Sequence, residues 1–472
     1  MTDQGSGEPA AAADGADRKK LVQDAGGKPK GPRHWFRDGV LRRTFANAGR
    51  LMGGKTVGGL FGAVYLALSA RALGPEQFGT LVLIHTYVLV VAGVVKFRSW
   101  QAVIRYGAGC LAPERKGDFQ KLLKFTTLLD FGSGIVGALV AFAFAPVAGK
   151  WMGWDADTTA LATSYGWLIL FMIEATPTGV LRLFDRFNLL AFQSIVTPFL
   201  RLVGVTAAYF AGAGLAEFVV VWFVSAAAGR LVLLVLGWAE LVRQKMLAGI
   251  DFSVSGLSKP HKGLWRFVLF TNFNASVELI VGHATTLVVG GVLGTAEAGL
   301  FKIAQEFTKA LAKPTQLLAQ TVFPDIAKLW AEGKDRKVGK LVLRAGLVAG
   351  CAATGIFAFL AAFGEQILEL TVGPEYLAAF GVMVLLALSK ALSVFGFPLT
   401  PALYAMGYAG QVLRIRIMIA LVYIPILFIL LNEMSVAGAG VARIAFTLAT
   451  VVFTAIVVKL AIDGRLKHIP TR

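Results

Sequence analysis

Lys302, Glu306, Lys309 and Lys313 recur at steps of four, three and four inside an otherwise apolar stretch. At about 100° per residue they fall within an arc of roughly 60° on one helix face, and Gln316 and Gln320 continue it. Such a stripe does not face hydrocarbon, because each charge at the centre of a bilayer costs about 2.5–3.5 kcal/mol on insertion scales. Two arrangements remain. Either Glu306 bridges Lys302 and Lys309 in an ion-pair ladder, or the stripe lines a wet cavity; three lysines to one glutamate leave positive charge over, which favours the cavity.

Other ionisable residues stand in apolar stretches: Lys55, Asp130, Glu174, Arg201, Arg230, Glu278, His283, Lys390 and Arg443. Lys55 lies near a segment end, where a lysine can snorkel. Arg201, Arg230 and Lys390 lie deeper and either pair with Glu174, Asp130 or Glu278 or contact a cargo. Glu278, His283, Asp130 and Glu174 are the candidates for coupling transport to an ion; for a histidine, a hydrogen-bonded packing role is the commoner one. The balance is basic, with Lys55, Arg201, Arg230, Lys302, Lys309, Lys313, Lys390 and Arg443 set against four acids. That sign suits an anionic cargo such as a lipid pyrophosphate or an acidic sugar, whereas a cation exporter needs the reverse.

The elements that position these charges are membrane spans. With 56% hydrophobic residues over 472 and a mean hydropathy of +0.68, the chain is too apolar for a soluble globule. Apolar runs long enough to cross about 30 Å of hydrocarbon fall near 51–73, 78–96, 123–148, 159–181, 189–212 and 215–238, then near 266–293, 298–322, 341–364, 377–402, 411–431 and 436–459. The reading is an all-α polytopic membrane protein of twelve transmembrane helices in two six-helix lobes around a central cavity. Lys and Arg concentrate in alternate connections, at 96–122, 182–188, 239–265, 323–340 and 407–416, and at both termini, which places both termini in the cytoplasm.

The two halves repeat. Leu73-Gly-Pro-Glu-Gln-Phe-Gly-Thr-Leu81 and Leu293-Gly-Thr-Ala-Glu-Ala-Gly-Leu-Phe301 lie 220 positions apart, each joining two apolar runs. Basic residues coincide at 116 and 336 and at 124 and 344, and 177–187 resembles 398–409 at nearly the same offset. Six helices per half bring each half back to its starting side, so the lobes are parallel repeats about an axis along the membrane normal. The offset carries the lysine stripe onto Val82, Thr86, Leu89 and Gly93, none of them charged. What repeats is scaffold; the buried charges belong to one copy.

The boundaries expected are a disordered cytoplasmic tail over 1–46, an N-terminal lobe over 47–250, a linker over 251–263, a C-terminal lobe over 264–460 and a cytoplasmic tail over 461–472. Residues 35–43 mix aromatic, apolar and basic side chains suited to an anionic membrane surface. A formal charge of +18 sits mostly in cytoplasmic loops, so nucleic acid is excluded as a partner. No phosphate-binding Gly-x-x-x-x-Gly-Lys-Ser/Thr run is present, and no connection is long enough for a catalytic domain, so the chain reads as a non-enzyme. Cys110 and Cys351 have no metal-ligand spacing, and neither metal nor cofactor is expected.

The chain resembles the polysaccharide flippases, the O-antigen and exopolysaccharide branch of the multidrug/oligosaccharidyl-lipid/polysaccharide (MOP) exporter superfamily. The resemblance rests on Ala70-Arg71-Ala72-Leu73-Gly74-Pro75-Glu76-Gln77-Phe78-Gly79, on Val103-Ile104-Arg105-Tyr106, on residues 290–301, on Phe323-Pro324, on Gly373-Pro374-Glu375-Tyr376 and on Ala402-Leu403-Tyr404-Ala405-Met406-Gly407. It covers roughly residues 45–460. It implies translocation of an undecaprenyl-diphosphate-linked oligosaccharide across the bacterial inner membrane by alternating access, with lipid contacts and contact with polysaccharide polymerase machinery, for O-antigen, capsule or exopolysaccharide. Where the family carries an acid in the seventh segment this chain has His283-Ala284-Thr285, with Glu278 about one and a half turns earlier as the substitute. A cation-coupled multidrug exporter is the alternative within transport, and a membrane-embedded polymerase or glycosyltransferase the alternative outside it.

Overall fold

The computed structural model describes residues 39–97, 99–251 and 253–463. Side chains of 39–45, 273–281 and 312–321, with those of 310, 323, 324, 327, 331 and 409, fall outside the description, and with them those of Glu278, Lys313, Gln316 and Gln320. The tails expected over 1–46 and 461–472 also lie largely outside it.

Among the described residues every regular element is helical. In the first half these are α1 (Gly39–Val95), α2 (Trp100–Gly107), α3 (Lys116–Met152), α4 (Ala156–Tyr165), α5 (Leu168–Phe171), α6 (Ala175–Leu183), α7 (Phe187–Phe210) and α8 (Leu215–Arg243). The second half holds α9 (Leu264–Leu293), α10 (Thr295–Ala331), α11 (Asp335–Thr371), α12 (Ala379–Phe395), α13 (Leu399–Ala405), α14 (Ala409–Met434) and α15 (Val436–Ile462). Nine helices among the described residues are long and apolar enough to cross a bilayer. One of these, Ala46–Cys110, contains the fold-back at Gly74 and so makes two passes, and α9 and α10 add two more, consistent with twelve segments. Lipid cannot satisfy backbone polar groups, so helices carry the chain across, and large apolar side chains such as Leu60, Phe210, Val348 and Leu421 stand exposed on the outer surface.

The duplicated motif bends the chain the same way twice. Gly74 (φ 67°, ψ 173°) turns α1 back on itself in a conformation that a Cβ disfavours, and Pro75, with no N–H to leave orphaned, opens the returning helix. Gly294 (φ 115°, ψ 178°) makes the same break between α9 and α10. Helices then pack closely through small residues: Gly58 on α1 faces the Ser194 carbonyl of α7, where a Cβ would lie 2.6 Å from the oxygen.

Two departures from the expected spans have local causes. The fourth segment is three pieces, α4, α5 and α6, with breaks at 166–167 and 172–174. Asp130, from the middle of α3, holds the second break open: it accepts from the Thr176 backbone N–H (2.8 Å) and hydroxyl (2.8 Å) and from the Ser99 hydroxyl (2.8 Å). A buried carboxylate thus caps one orphan N–H of α6, that of Thr176, from a neighbouring helix. The tenth segment is likewise split into α12 and α13. At the start, helix α1 reaches back to Gly39, so 39–46 of the expected tail are helical.

Asp130→Ala is expected to destabilise the fold by about 1–3 kcal/mol, because two buried hydroxyls and a helix N–H lose their acceptor. Thermal unfolding in detergent checks it; an unchanged midpoint removes the capping role.

Candidate functional site

The two lobes meet along α1 and α10, and the meeting is tightest at the end where Gly74 and Gly294 turn the chain. A Cβ on Gly79 would overlap the carbonyl oxygen of Thr295, and one on Gly299 would lie 2.6 Å from the carbonyl oxygen of Pro75. Since 79 corresponds to 299 and 75 to 295 at the 220-residue offset, the contact is its own two-fold mate. The Gly373-Pro374-Glu375-Tyr376 motif closes over it: Tyr376, fully buried, donates to the Ala70 carbonyl (3.0 Å) and packs edge-on against Phe78. Arg71 donates to the carbonyls of Glu369 and Leu370. The largest apolar cluster runs through this end from both lobes, with Leu81, Leu83 and Ile84 beside Val289, Ala298 and Phe301.

The ionisable residues lie on helices of both lobes. Arg201 on α7 is 5% exposed, and its described partners are neutral. It donates to the Ser225 hydroxyl (3.0 Å), the Trp222 carbonyl (3.1 Å) and the Tyr65 hydroxyl (3.4 Å), and lies over the rings of Trp222 and Tyr65 at 4.4 and 5.3 Å. Aromatic faces and hydrogen bonds replace part of its water without cancelling its charge. Arg230 donates to the Ala226 carbonyl (3.0 Å) and reaches Glu174 at 3.8 Å, a long contact to a half-exposed acid. On α10 the ladder forms: Lys302 lies 2.9 Å and Lys309 2.5 Å from the same oxygen of Glu306. One carboxylate serves two ammonium groups, and Lys309 stays 57% exposed.

The ion-pair ladder is therefore formed, and its surplus charge at Lys309 is exposed. The charges of Arg201, Arg230, Lys302 and His283 all act on His85. Its Nδ1 is 2.8 Å from the Tyr165 hydroxyl, and its ring stands edge-on to Trp222. His283 in turn senses Lys302 and Lys309, so the cations of the two lobes form one belt.

Lys390 and Arg443 stand beside this belt in the C-terminal lobe. Lys390 is within electrostatic reach of Lys309 and Arg443, and Arg443 lies 5.2 Å over the Phe446 ring while its backbone carbonyl accepts from Ser389. Asp130 and Glu174 sit on the N-lobe flank near Lys96, whose ammonium is buried without a hydrogen-bond partner among the described residues. Lys55 is exposed, 19 residues before Gly74 and so about 28 Å along α1 from the sealed end; it is not brought to the belt. No group of three His, Cys, Asp or Glu able to hold a metal occurs among the described residues.

Sequence reasoning passed over His85, Tyr65, Tyr165, Trp222 and Lys96. The available signal was a histidine in the middle of the run 78–96; the aromatic residues carried none, because in an apolar helix they read as packing.

The chain is a multi-pass membrane protein, and its two-lobed helical bundle is a fold shared with transporters of known structure. It is similar in fold to a multidrug resistance MATE family transporter of the MOP superfamily in its inward-facing conformation (TM-score 0.72, 15% identity, 86% of this chain and 95% of that one). It is also similar to the lipid II flippase MurJ in an inward closed conformation (TM-score 0.66, 12% identity, 88% of this chain and 87% of that one). Residues 68–381 match the polysaccharide biosynthesis protein family, and the chain belongs to that family. Inner membrane protein YghQ of Escherichia coli K12 is 33% identical over 353 residues, spanning 74% of this chain and 98% of that protein.

Proposed function

We propose that the protein is a flippase that carries an undecaprenyl-diphosphate-linked oligosaccharide from the cytoplasmic to the periplasmic leaflet of the bacterial inner membrane. The observation that carries this reading is that the charges of Arg201 and Arg230 from one lobe and of Lys302 from the other all act on His85, with Lys309 exposed beside Glu306 on α10. A diphosphate is a dense anion that does not enter hydrocarbon bare, and guanidinium and ammonium groups replace its water as charge-assisted donors. The polyprenyl chain needs no such shelter and stays in lipid.

With the basic connections in the cytoplasm, both termini are cytoplasmic and the sealed end is periplasmic. The described state is then the one that receives a head group from the cytoplasmic leaflet. Rocking of the lobes about the belt breaks the seal and turns the site outward, with the sugar chain following. Glu278, His283, Asp130 and Glu174 remain the coupling candidates. Asp130 has little freedom to exchange a proton, since three donors already hold it. Lys313 extends the stripe toward the cytoplasm in this reading.

The test is surface polysaccharide in cells carrying Arg201→Ala, Lys302→Ala or Lys309→Ala at matched protein levels. Arg201→Ala is expected to lose at least about tenfold, the value of one charge-assisted contact of 1.5–3 kcal/mol, and the two lysine changes to lose less, since Glu306 keeps one partner. Full export in all three removes the charge-shielding role. The cation-exporter reading instead expects drug resistance on overexpression, and a belt of this sign opposes it.

A further inference from the structure

One duplicated face is covered in the first lobe and bare in the second. At the 220-residue offset Lys116, Gln120 and Lys124, at the start of α3, correspond to Arg336, Lys340 and Arg344 at the start of α11. Gln120, 7% exposed, donates to the carbonyls of Met246 (2.8 Å) and Ala248 (3.1 Å), and the Lys124 ammonium donates to those of Asp251 (2.5 Å) and Ser253 (2.7 Å). The connection after α8 thus lays a row of oxygen acceptors over this face of α3, and its Leu257 packs with Leu122 and Phe125. On α11 the corresponding Arg336, Lys340 and Arg344 are all exposed, and none has a hydrogen bond or ion pair with a described residue.

Helix geometry places the three cations together. The opposite side of α11, with Val338, Val342, Gly346 and Ala349, is buried against its neighbours. At about 100° and 1.5 Å per residue the cations fall within an arc of about 80° along about 12 Å of helix. Leu347 and Cys351, both exposed, continue that arc into the apolar part of α11. Asp335, the acid nearest along the helix, projects about 100° away from Arg336. Cations in the first turns of a helix also face the positive end of its dipole, so the row is unfavourable until an anion lies on it. An anion that meets cations at one end and lipid-facing leucine at the other is amphiphilic, and guanidinium forks with an ammonium suit phosphate oxygens. We infer that the start of α11 is a docking face for an anionic phospholipid, whose phosphate takes Arg336, Lys340 and Arg344 and whose acyl chains run along Leu347 and Cys351. The lipid phosphate supplies on α11 the oxygen acceptors that backbone carbonyls supply on α3. The face is independent of the cargo carried between the lobes.

The experiment places a bimane fluorophore on Cys351 of the full-length protein in neutral detergent, with Cys110→Ser, and titrates phosphatidylglycerol or phosphatidylcholine carrying a doxyl quencher on the acyl chain. Cys351 lies seven residues, about 10 Å, from Arg344 on the same face. Half-quenching by phosphatidylglycerol at a concentration at least about tenfold lower than by phosphatidylcholine is the expected result. Arg344→Gln is expected to cut that preference about fivefold, Arg344→Lys to keep most of it, and Arg336→Gln, Lys340→Gln and Arg344→Gln combined to remove it. The second probe is Phe131→Cys with Cys110→Ser and Cys351→Ser, because 131 is the counterpart of 351 and Phe131 is exposed on α3. There the connection already holds Lys124, and little preference is expected. Equal preference at both probes would mean general attraction to a basic surface and would overturn the site. So would equal quenching by the two lipids at Cys351, which leaves the face to some other occupant, or a preference indifferent to Arg344→Gln and to the combined change. Arg344 has no partner in the fold to lose, so its single variants decide the matter even if the combined one misfolds.

Discussion

Gly79→Ala is expected to reduce transport by ten- to a hundredfold while leaving the protein folded. The added Cβ meets the backbone carbonyl of Thr295, which cannot rotate away as a side chain would, so the lobes must part to accept it. Overpacking of this kind costs about 1–3 kcal/mol, enough to move an equilibrium between sealed and open states by about ten- to a hundredfold. Parting of the lobes in the proposed open state relieves this contact, so that state is not penalised. The two effects are read together: transport falls, and a cysteine placed at Ala298, buried in the seal, gains reactivity toward an impermeant maleimide by at least about tenfold, in a background with Cys110 and Cys351 replaced by serine. Gly299→Ala, the symmetry mate, meets the Pro75 carbonyl and is expected to behave alike. Unchanged labelling and transport in both would mean that the glycine contact is packing without a part in the cycle.

That seal shows how much of the molecule was readable from sequence. The nine-residue echo at 73–81 and 293–301 identified a duplication and two tight turns. It did not say that the two copies touch, because self-similarity specifies equivalent positions and not the axis that relates them. Gly79 and Gly299 are legible as an interface only once Thr295 and Pro75 are seen opposite them. The lysine stripe was legible for the opposite reason: helical periodicity is local, and charges in apolar sequence are expensive enough to demand an explanation. Its pairing through Glu306 followed from i,i+4 and i,i+3 spacing alone. Asp130 was legible as a buried acid but not as a cap, because the break it caps, at 172–174, has no proline or glycine to mark it. His85 was missed because its neighbours Tyr165 and Trp222 lie 80 and 137 residues away along the chain.

Lys302→Glu is the second large effect. It turns the ladder into two carboxylates one turn apart with Lys309 alone to serve them, and it reverses the net charge of the ladder on the C-lobe side of His85. Like charges at that spacing destabilise a helix by only a few tenths of a kcal/mol, so folding survives. Binding of an anion does not: one donor is lost and one repulsion gained, together worth about 3 kcal/mol or roughly a hundredfold in affinity. The exchange Lys302→Glu with Glu306→Lys restores the pair and the net charge one turn along and is expected to recover a substantial part of export. Recovery in the exchange separates belt charge from local geometry. Equal loss in both variants would mean that the position of Lys302, and not the sum of charge, is what the cargo reads.

The most direct measurement is leaflet exchange of a fluorescent undecaprenyl-diphosphate-linked oligosaccharide in proteoliposomes containing the purified protein, run beside a lipophilic cationic dye. Faster exchange of the diphosphate-linked lipid than in protein-free vesicles, abolished by Lys302→Glu and with no movement of the dye, is the predicted result. Movement of the dye without exchange of the lipid, or lipid exchange indifferent to Lys302→Glu, would contradict an anion-carrying interlobe belt.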